Sequence, residues 1–195
     1  MTLRLNGSTS GYVEIDAPAT AGSNTLVLPT GNGSNGQYLQ TNGSGALSWA
    51  NAGKILQVVS TTKTDVFSSS SSSFVDVTGL SVNITPSSTS NKVLVLVNAW
   101  VGSDTQTANV YFELRRDTTT IQSDTVIRIP QEAQSVYRMY NLAFMYLDTP
   151  SSTSTLAYSV RARTNAGTMY INRPGNQGGF PDVADSSITV IEVKG

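Results

Sequence analysis

The chain has 195 residues, contains no cysteine and no histidine, and carries a formal net charge of −1. The missing residue types exclude disulfide bonds, zinc sites built on thiolate or imidazole ligands, and nucleophiles that histidine activates. Charged residues make up only 13% of the chain and no basic run occurs, so we expect a neutral surface that contacts other copies or carbohydrate, and no nucleic-acid partner.

The first 52 residues are rich in glycine and poor in charge. Nine of the sixteen glycines lie at or before Gly53, together with only three charged residues. Asn-Gly turns separate short segments of β pattern at 1–16, 25–28, 37–40 and 46–49, each too short to be stable alone. We therefore predict a β-rich stem, residues 1–52, in which three chains wind together and bury Leu26, Leu28 and Trp49. No signal-peptide pattern is recognisable at its start.

Residues 53–195 carry nearly all the long apolar runs. Strand patterns recur about every ten residues with turn signals between them, and no window has the apolar period of an amphipathic helix. This spacing predicts a C-terminal antiparallel β-sandwich, jelly-roll-like, so that the whole protein is all-β. Within this domain, the six serines at 68–73 predict a flexible loop.

The most informative strand pattern is KVLVLVNAWV at 92–101. Alternation places five small apolar residues on one face, and Leu94, Leu96 and Trp100 on the other. Exposing these three side chains would forfeit roughly 1.5–3 kcal/mol each. A second doubly apolar strand is predicted at 135–147. We therefore predict that the second face forms a homotrimer interface; the alternative is a cover made by the serine-rich loop or the N-terminal segment.

The longest irregular stretch, RPGNQGGFPDVAD, predicts a loop at 173–185 that contacts a receptor. It combines an aromatic ring with hydrogen-bonding groups, as sugar-binding sites do, and the alternative is a plain connection in which the ring closes the core. The receptor-contact candidates are Arg173, Asn176, Gln177, Phe180 and Asp182.

Other motifs favour structural roles. Asp182 and Asp185 could meet Asp124, Glu132 and Asp148 as a glycosidase or calcium site would require, but aspartates in loops more often form turns. The glycines at 31, 33 and 36 have dinucleotide-binding spacing, yet no helix pattern follows them, which favours turns. We predict no enzymatic activity, no catalytic residue, no metal and no cofactor.

Three groups of segments resemble a known family. The run TLRLNGSTSGYVEIDAPATAGSNTLVLP followed by GQYLQTNGSGALSW is similar to a segment near the start of marine bacteriophage (cyanophage-like) tail-fibre and virion fibre proteins. The segments SVNITPSSTSNKVLVLV, YLDTPSSTST and SSITVIEVKG resemble their C-terminal domain. The resemblance implies a homotrimeric tail fibre or fibre-tip adhesin, assembled in the host cytoplasm and located on the virion.

The same resemblance implies the partners. The N-terminal region would bind other virion proteins, either a tail adaptor or nozzle or the capsid. The C-terminal domain would bind a host surface polysaccharide or an outer-membrane receptor. Because tail fibres are often far longer than this chain, a capsid decoration protein, that is, a head fibre or cement protein, is the alternative.

Overall fold

The chain forms two compact units, Met1–Gly53 and Lys54–Gly195. The computed structural model describes residues 3–16, 18–20, 22–23, 25–51, 53–132, 135–176 and 183–195. Within these ranges the regular structure consists of β-strands and one short 3₁₀ turn at Ser135–Tyr137, and the strand pairs are antiparallel apart from one isolated bridge. The prediction of an all-β sandwich protein is confirmed.

The first unit contains two small hairpins. The first hairpin joins β1 (Leu3–Asn6) to β2 (Tyr12–Ile15), and the second joins β3 (Gln37–Thr41) to β4 (Leu47–Asn51). The predicted strand at 25–28 is reduced to one parallel bridge between Val27 and Ala46, because only that residue finds a backbone partner. None of the side chains described in this unit is buried.

The second unit is a sandwich of ten strands. They are β5 (Ile55–Lys63), β6 (Phe67–Ser69), β7 (Val75–Ile84), β8 (Lys92–Ser103), β9 (Asn109–Arg116), β10 (Thr119–Arg128), β11 (Tyr140–Asp148), β12 (Leu156–Thr164), β13 (Met169–Ile171) and β14 (Ser186–Val193). The small sheet has the order β10-β9-β12-β7. In the large sheet, β8 pairs with β11 on one side and with both β14 and β13 on the other; β5 then pairs with β14, and β6 with β13.

The core lies between the inner faces of these two sheets. As the alternation predicts, Val93, Val95 and the other odd-numbered residues of β8 up to Val101 are at most 3% exposed, while the even-numbered side chains point outward. The inner residues of β9, β12, β7 and β14 complete the same apolar cluster.

The serine-rich segment departs from its predicted loop. Phe67–Ser69 forms strand β6, in which Ser69 pairs with Met169 and Ser68 with Tyr170. Further along, the carbonyl of Ser71 accepts a hydrogen bond of 3.0 Å from the amide of Thr164. A tertiary strand partner thus overrides the low strand propensity of serine.

Candidate functional site

The outward face of the large sheet is apolar across four adjacent strands. The registers align one row of four aliphatic side chains, namely Leu147, Leu94, Ile191 and Val58. The two at the ends of the row are the most open, with Leu147 51% and Val58 57% exposed. Aligned side chains on one sheet face are in mutual contact range, so this row is one continuous surface.

The neighbouring rows add a shallow depression and a few neutral polar groups. Met145, Leu96, Thr189 and Ser60 form the second row; Ala143, Asn98, Ser187 and Thr62 form the third. A depression of about 400 Å³ lies over β11, β8 and β14. On its floor, the amide Nδ2 of Asn141 donates to Oδ1 of Asn98. These three rows contain no charged side chain.

The predicted interface residues of β8 belong to this face. Leu94, Leu96 and Trp100 are half-buried, and Met145 beside Leu96 is 68% exposed. The serine-rich segment pairs with β13 through β6 and therefore does not supply the cover that the sequence left as an alternative.

The outward face of the small sheet has the opposite chemistry. Arg161 lies 2.7 Å from Glu113 and 3.2 Å from Asp76. Arg163 stacks on the ring of Tyr111 at 3.9 Å from its centroid. This face presents mutually paired charges, as a solvated surface does, whereas the large sheet presents apolar side chains.

The first unit also exposes an apolar surface. Cross-strand pairs of the β1–β2 hairpin place Leu3, Leu5, Val13 and Ile15 on one face, and each is between 56% and 65% exposed. The opposite face is polar, with Arg4 3.6 Å from Glu14. The hairpin is therefore amphipathic.

Leu26, Leu28 and Trp49, the predicted stem residues, differ in their surroundings. Leu26 and Leu28 are each 68% exposed. Trp49 is half-buried against its own chain: its indole N–H donates to the carbonyl of Gly31 over 2.6 Å, and its ring lies where a Cβ of Gly33 would be, at 2.6 Å. Strand β3 follows this glycine segment, so it lacks the helix that a dinucleotide site needs.

Only part of the predicted receptor loop falls within the described residues. Arg173 lies over the ring of Tyr170, at 4.0 Å from its centroid. The amide of Asn176 donates to the carbonyl of Val136 over 2.7 Å. Gln177, Phe180 and Asp182 lie outside the described residues. The two described candidates therefore hold the start of the loop against the sandwich.

The acidic residues considered for a glycosidase or calcium site do not converge in the described part of the chain. Asp148 lies 2.7 Å from Arg116, Asp124 faces Arg163 at 3.7 Å, and Glu132 faces Arg138 at 3.9 Å. No group of three or more acidic side chains among the described residues could hold a metal ion. Each carboxylate has a basic neighbour instead.

One buried carboxylate, Glu192, is not flagged by any sequence pattern. Its Oε1 accepts hydrogen bonds from the amide and hydroxyl of Ser87 and from Nδ2 of Asn91, and its Oε2 accepts one from Gln57, all between 2.6 and 2.8 Å. Burial opposes ionisation, but these donors outweigh it and hold the pKa of Glu192 below its ordinary value. Glu192 therefore fixes the loop before β8.

Comparisons with known proteins give no family. No family model matches the chain, and no curated protein matches it significantly. Among solved structures, the infectious bursal disease virus Gx strain structure has a TM-score of 0.40 at 14% identity, over 98% of this chain and 48% of that one. A VP2 subviral particle of the same virus has a TM-score of 0.37 at 13% identity, over 76% and 40%.

Dimeric latent PorU from Porphyromonas gingivalis has a TM-score of 0.36 at 8% identity, over 74% of this chain and 14% of that one. The chain spans less than half the length of each of these chains. At such TM-scores and identities, these similarities carry no argument about function. No helix in the described ranges is long and apolar enough to cross a membrane.

Proposed function

We propose that the chain is a structural protein of a bacteriophage virion, a tail fibre or fibre-tip adhesin that works as a homotrimer. The observation that carries this proposal is the uncharged apolar face of the large sheet, centred on Leu94 and Leu96. A monomer would leave this face in water, and patches of this kind mark sites of protein contact. The resemblance of the sequence to phage fibre proteins supports the same conclusion.

The two units would divide the work. The first unit has no buried side chain among its described residues, so it is expected to become ordered by winding with its counterparts and binding the particle. The second unit has its own core and would present the loop at 173–185 to a host polysaccharide or outer-membrane receptor. Three copies would raise a weak single-site affinity through avidity.

Immunoelectron microscopy of the virions that carry this chain tests the proposal. Antibodies raised against residues 54–195 should label the tail, and the same protein added in excess should inhibit adsorption to host cells. Label scattered over the capsid would contradict the fibre assignment and favour a decoration or head-fibre protein. A monomeric mass of the intact chain by light scattering would contradict the homotrimer.

A further inference from the structure

Two surfaces of the large sheet lack a partner within the described residues of the second unit. One is the outward face across β11, β8, β14 and β5. The other is the outer edge of β11, since β11 pairs only with β8. Both surfaces include Met145 and Leu147, so they meet at a common rim.

The edge of β11 is unlike the other sheet edges. Register shifts interrupt the pairing of β10 with β9, of β7 with β12 and of β5 with β14, and such bulges keep edges from pairing with other chains. β11 instead runs through nine consecutive pairs without a shift, from Tyr140 to Asp148. Its one charged residue, Asp148, is buried against Arg116. The strand therefore carries none of the usual protection against association.

We propose that the outer edge of β11 in one copy packs against the outward face of the large sheet in a second copy, and that three copies close a ring by this contact. The inference rests on the proposed homotrimer and specifies how its head units meet. Neither surface presents an exposed charge, so a charged partner gains nothing there, whereas a second copy brings a matching apolar strand. The depression over β8 gives the exposed side chains of that strand a concave seat.

The geometry of the rim explains the number of copies. Met145 and Leu147 point outward at the edge, so the edge surface is inclined to the face by less than a right angle. Joining the two surfaces head to tail then turns each copy by more than a right angle and less than a half turn. Three is the only whole number of copies that closes a ring under this condition.

The area is of the size that a stable assembly needs. Four strands about 4.8 Å apart, each contributing seven residues of about 3.3 Å, give a face of about 440 Å². Because each copy uses a face and an edge, it would bury about 900 Å² in its two contacts. A stable complex buries about 800 Å² per partner.

Disulfide trapping in the full chain tests the contact, since the chain has no cysteine of its own. The double variant Met145→Cys, Thr189→Cys places thiols on the edge and on the face. Leu96 lies between these positions, which puts their Cα atoms about 9.6 Å apart, too far for a disulfide within one chain. Mild oxidation should therefore convert most of the protein into a covalent trimer on denaturing gels.

The controls separate this contact from others. Each single variant should form no covalent trimer. The matched pair Ser81→Cys, Arg115→Cys lies on the small sheet with the same separation, across Ser159, and should remain monomeric on the gel. Circular dichroism and the melting temperature of every variant are compared with the parent to identify misfolded protein.

Two outcomes would overturn the inference, and they are distinguishable. A double variant that is trimeric in solution but does not cross-link, or that yields only the dimers given by Met145→Cys alone, would place the contact elsewhere and leave the homotrimer standing. A parent chain that is monomeric by light scattering would remove both the inference and the proposed homotrimer. As a second readout, Met145→Arg should shift the head units toward monomer, whereas Ser81→Arg should not.

Discussion

The hydroxyl of Tyr158 donates a hydrogen bond of 2.6 Å to Oδ2 of Asp148, and this bond joins the two sheets. Asp148 ends β11 in the large sheet and Tyr158 lies in β12 of the small sheet. The same carboxylate accepts two hydrogen bonds, of 2.9 and 2.7 Å, from Nη1 of Arg116. Burial and the neighbouring carboxylate raise the pKa of Tyr158 far above its usual value, so the phenol stays protonated as a donor.

Replacing Asp148 with Asn should destabilise the sandwich strongly. The change leaves Arg116 without its carboxylate, and removing one partner of a buried pair costs about 3 kcal/mol. Urea unfolding followed by tryptophan fluorescence measures the loss. Asp124→Asn is the matched control, because Asp124 is exposed and its pair with Arg163 contributes at most about 1 kcal/mol. Equal losses in the two variants would show that the Asp148 site is not a cross-sheet tie.

Acid should weaken the second unit through Glu192. The pKa of this carboxylate in the folded chain lies below its ordinary value of 4.5. Its contribution to stability is therefore fully present above pH 4.5 and is lost as the pH falls through the lower, folded pKa. We expect the free energy of unfolding to fall more steeply in this acidic window for the parent chain than for Glu192→Gln. Parallel pH profiles of the two proteins would refute this assignment.

Asn172 should tolerate glycine better than alanine. Its backbone is left-handed, with φ of 71°, and its side-chain amide donates to the carbonyls of Lys63 and Asp65 over 2.7 and 3.0 Å. Both substitutions lose these hydrogen bonds, but alanine also pays about 1 kcal/mol for the left-handed backbone. The variant Asn172→Ala should therefore have the lower melting temperature, and the reverse order would contradict a role of the backbone conformation.

The two units should differ in their ability to fold alone. A fragment of residues 54–195 retains the apolar core and should unfold cooperatively in urea. A fragment of residues 1–53 has no buried side chain among its described residues and should give no cooperative transition at low concentration. A sharp transition in the short fragment, independent of concentration, would mean that the first unit does not depend on association.

Local periodicity accounts for what the sequence predicted well. The alternation at 92–101 assigns each side chain of the central strand to its face, because a strand repeats every two residues whatever lies around it. The same rule correctly points Glu113 outward. Glu113 is nevertheless only 6% exposed, because Arg161, 48 positions further along the chain, covers it.

Long-range pairing accounts for what the sequence could not predict. Ser69 joins a strand only because Met169 pairs with it. Asp148 was considered as part of an acidic site, but its partner Arg116 lies 32 residues away. Glu192 follows the strand alternation of β14, and nothing near it announces that Ser87 and Asn91, more than 100 residues earlier, saturate its carboxylate.

The position of β14 between β5 and β8 governs when the head unit is able to form during synthesis. β5 pairs only with β14, so it waits unpaired until the ribosome has added the chain as far as Val193. At roughly 5–20 residues per second, that delay is on the order of 10 s. During this time the apolar strands β5 and β8 are open to neighbouring nascent chains. The large sheet, and with it the proposed trimer, is therefore completed late, as a post-translational event in which assembly competes with aggregation.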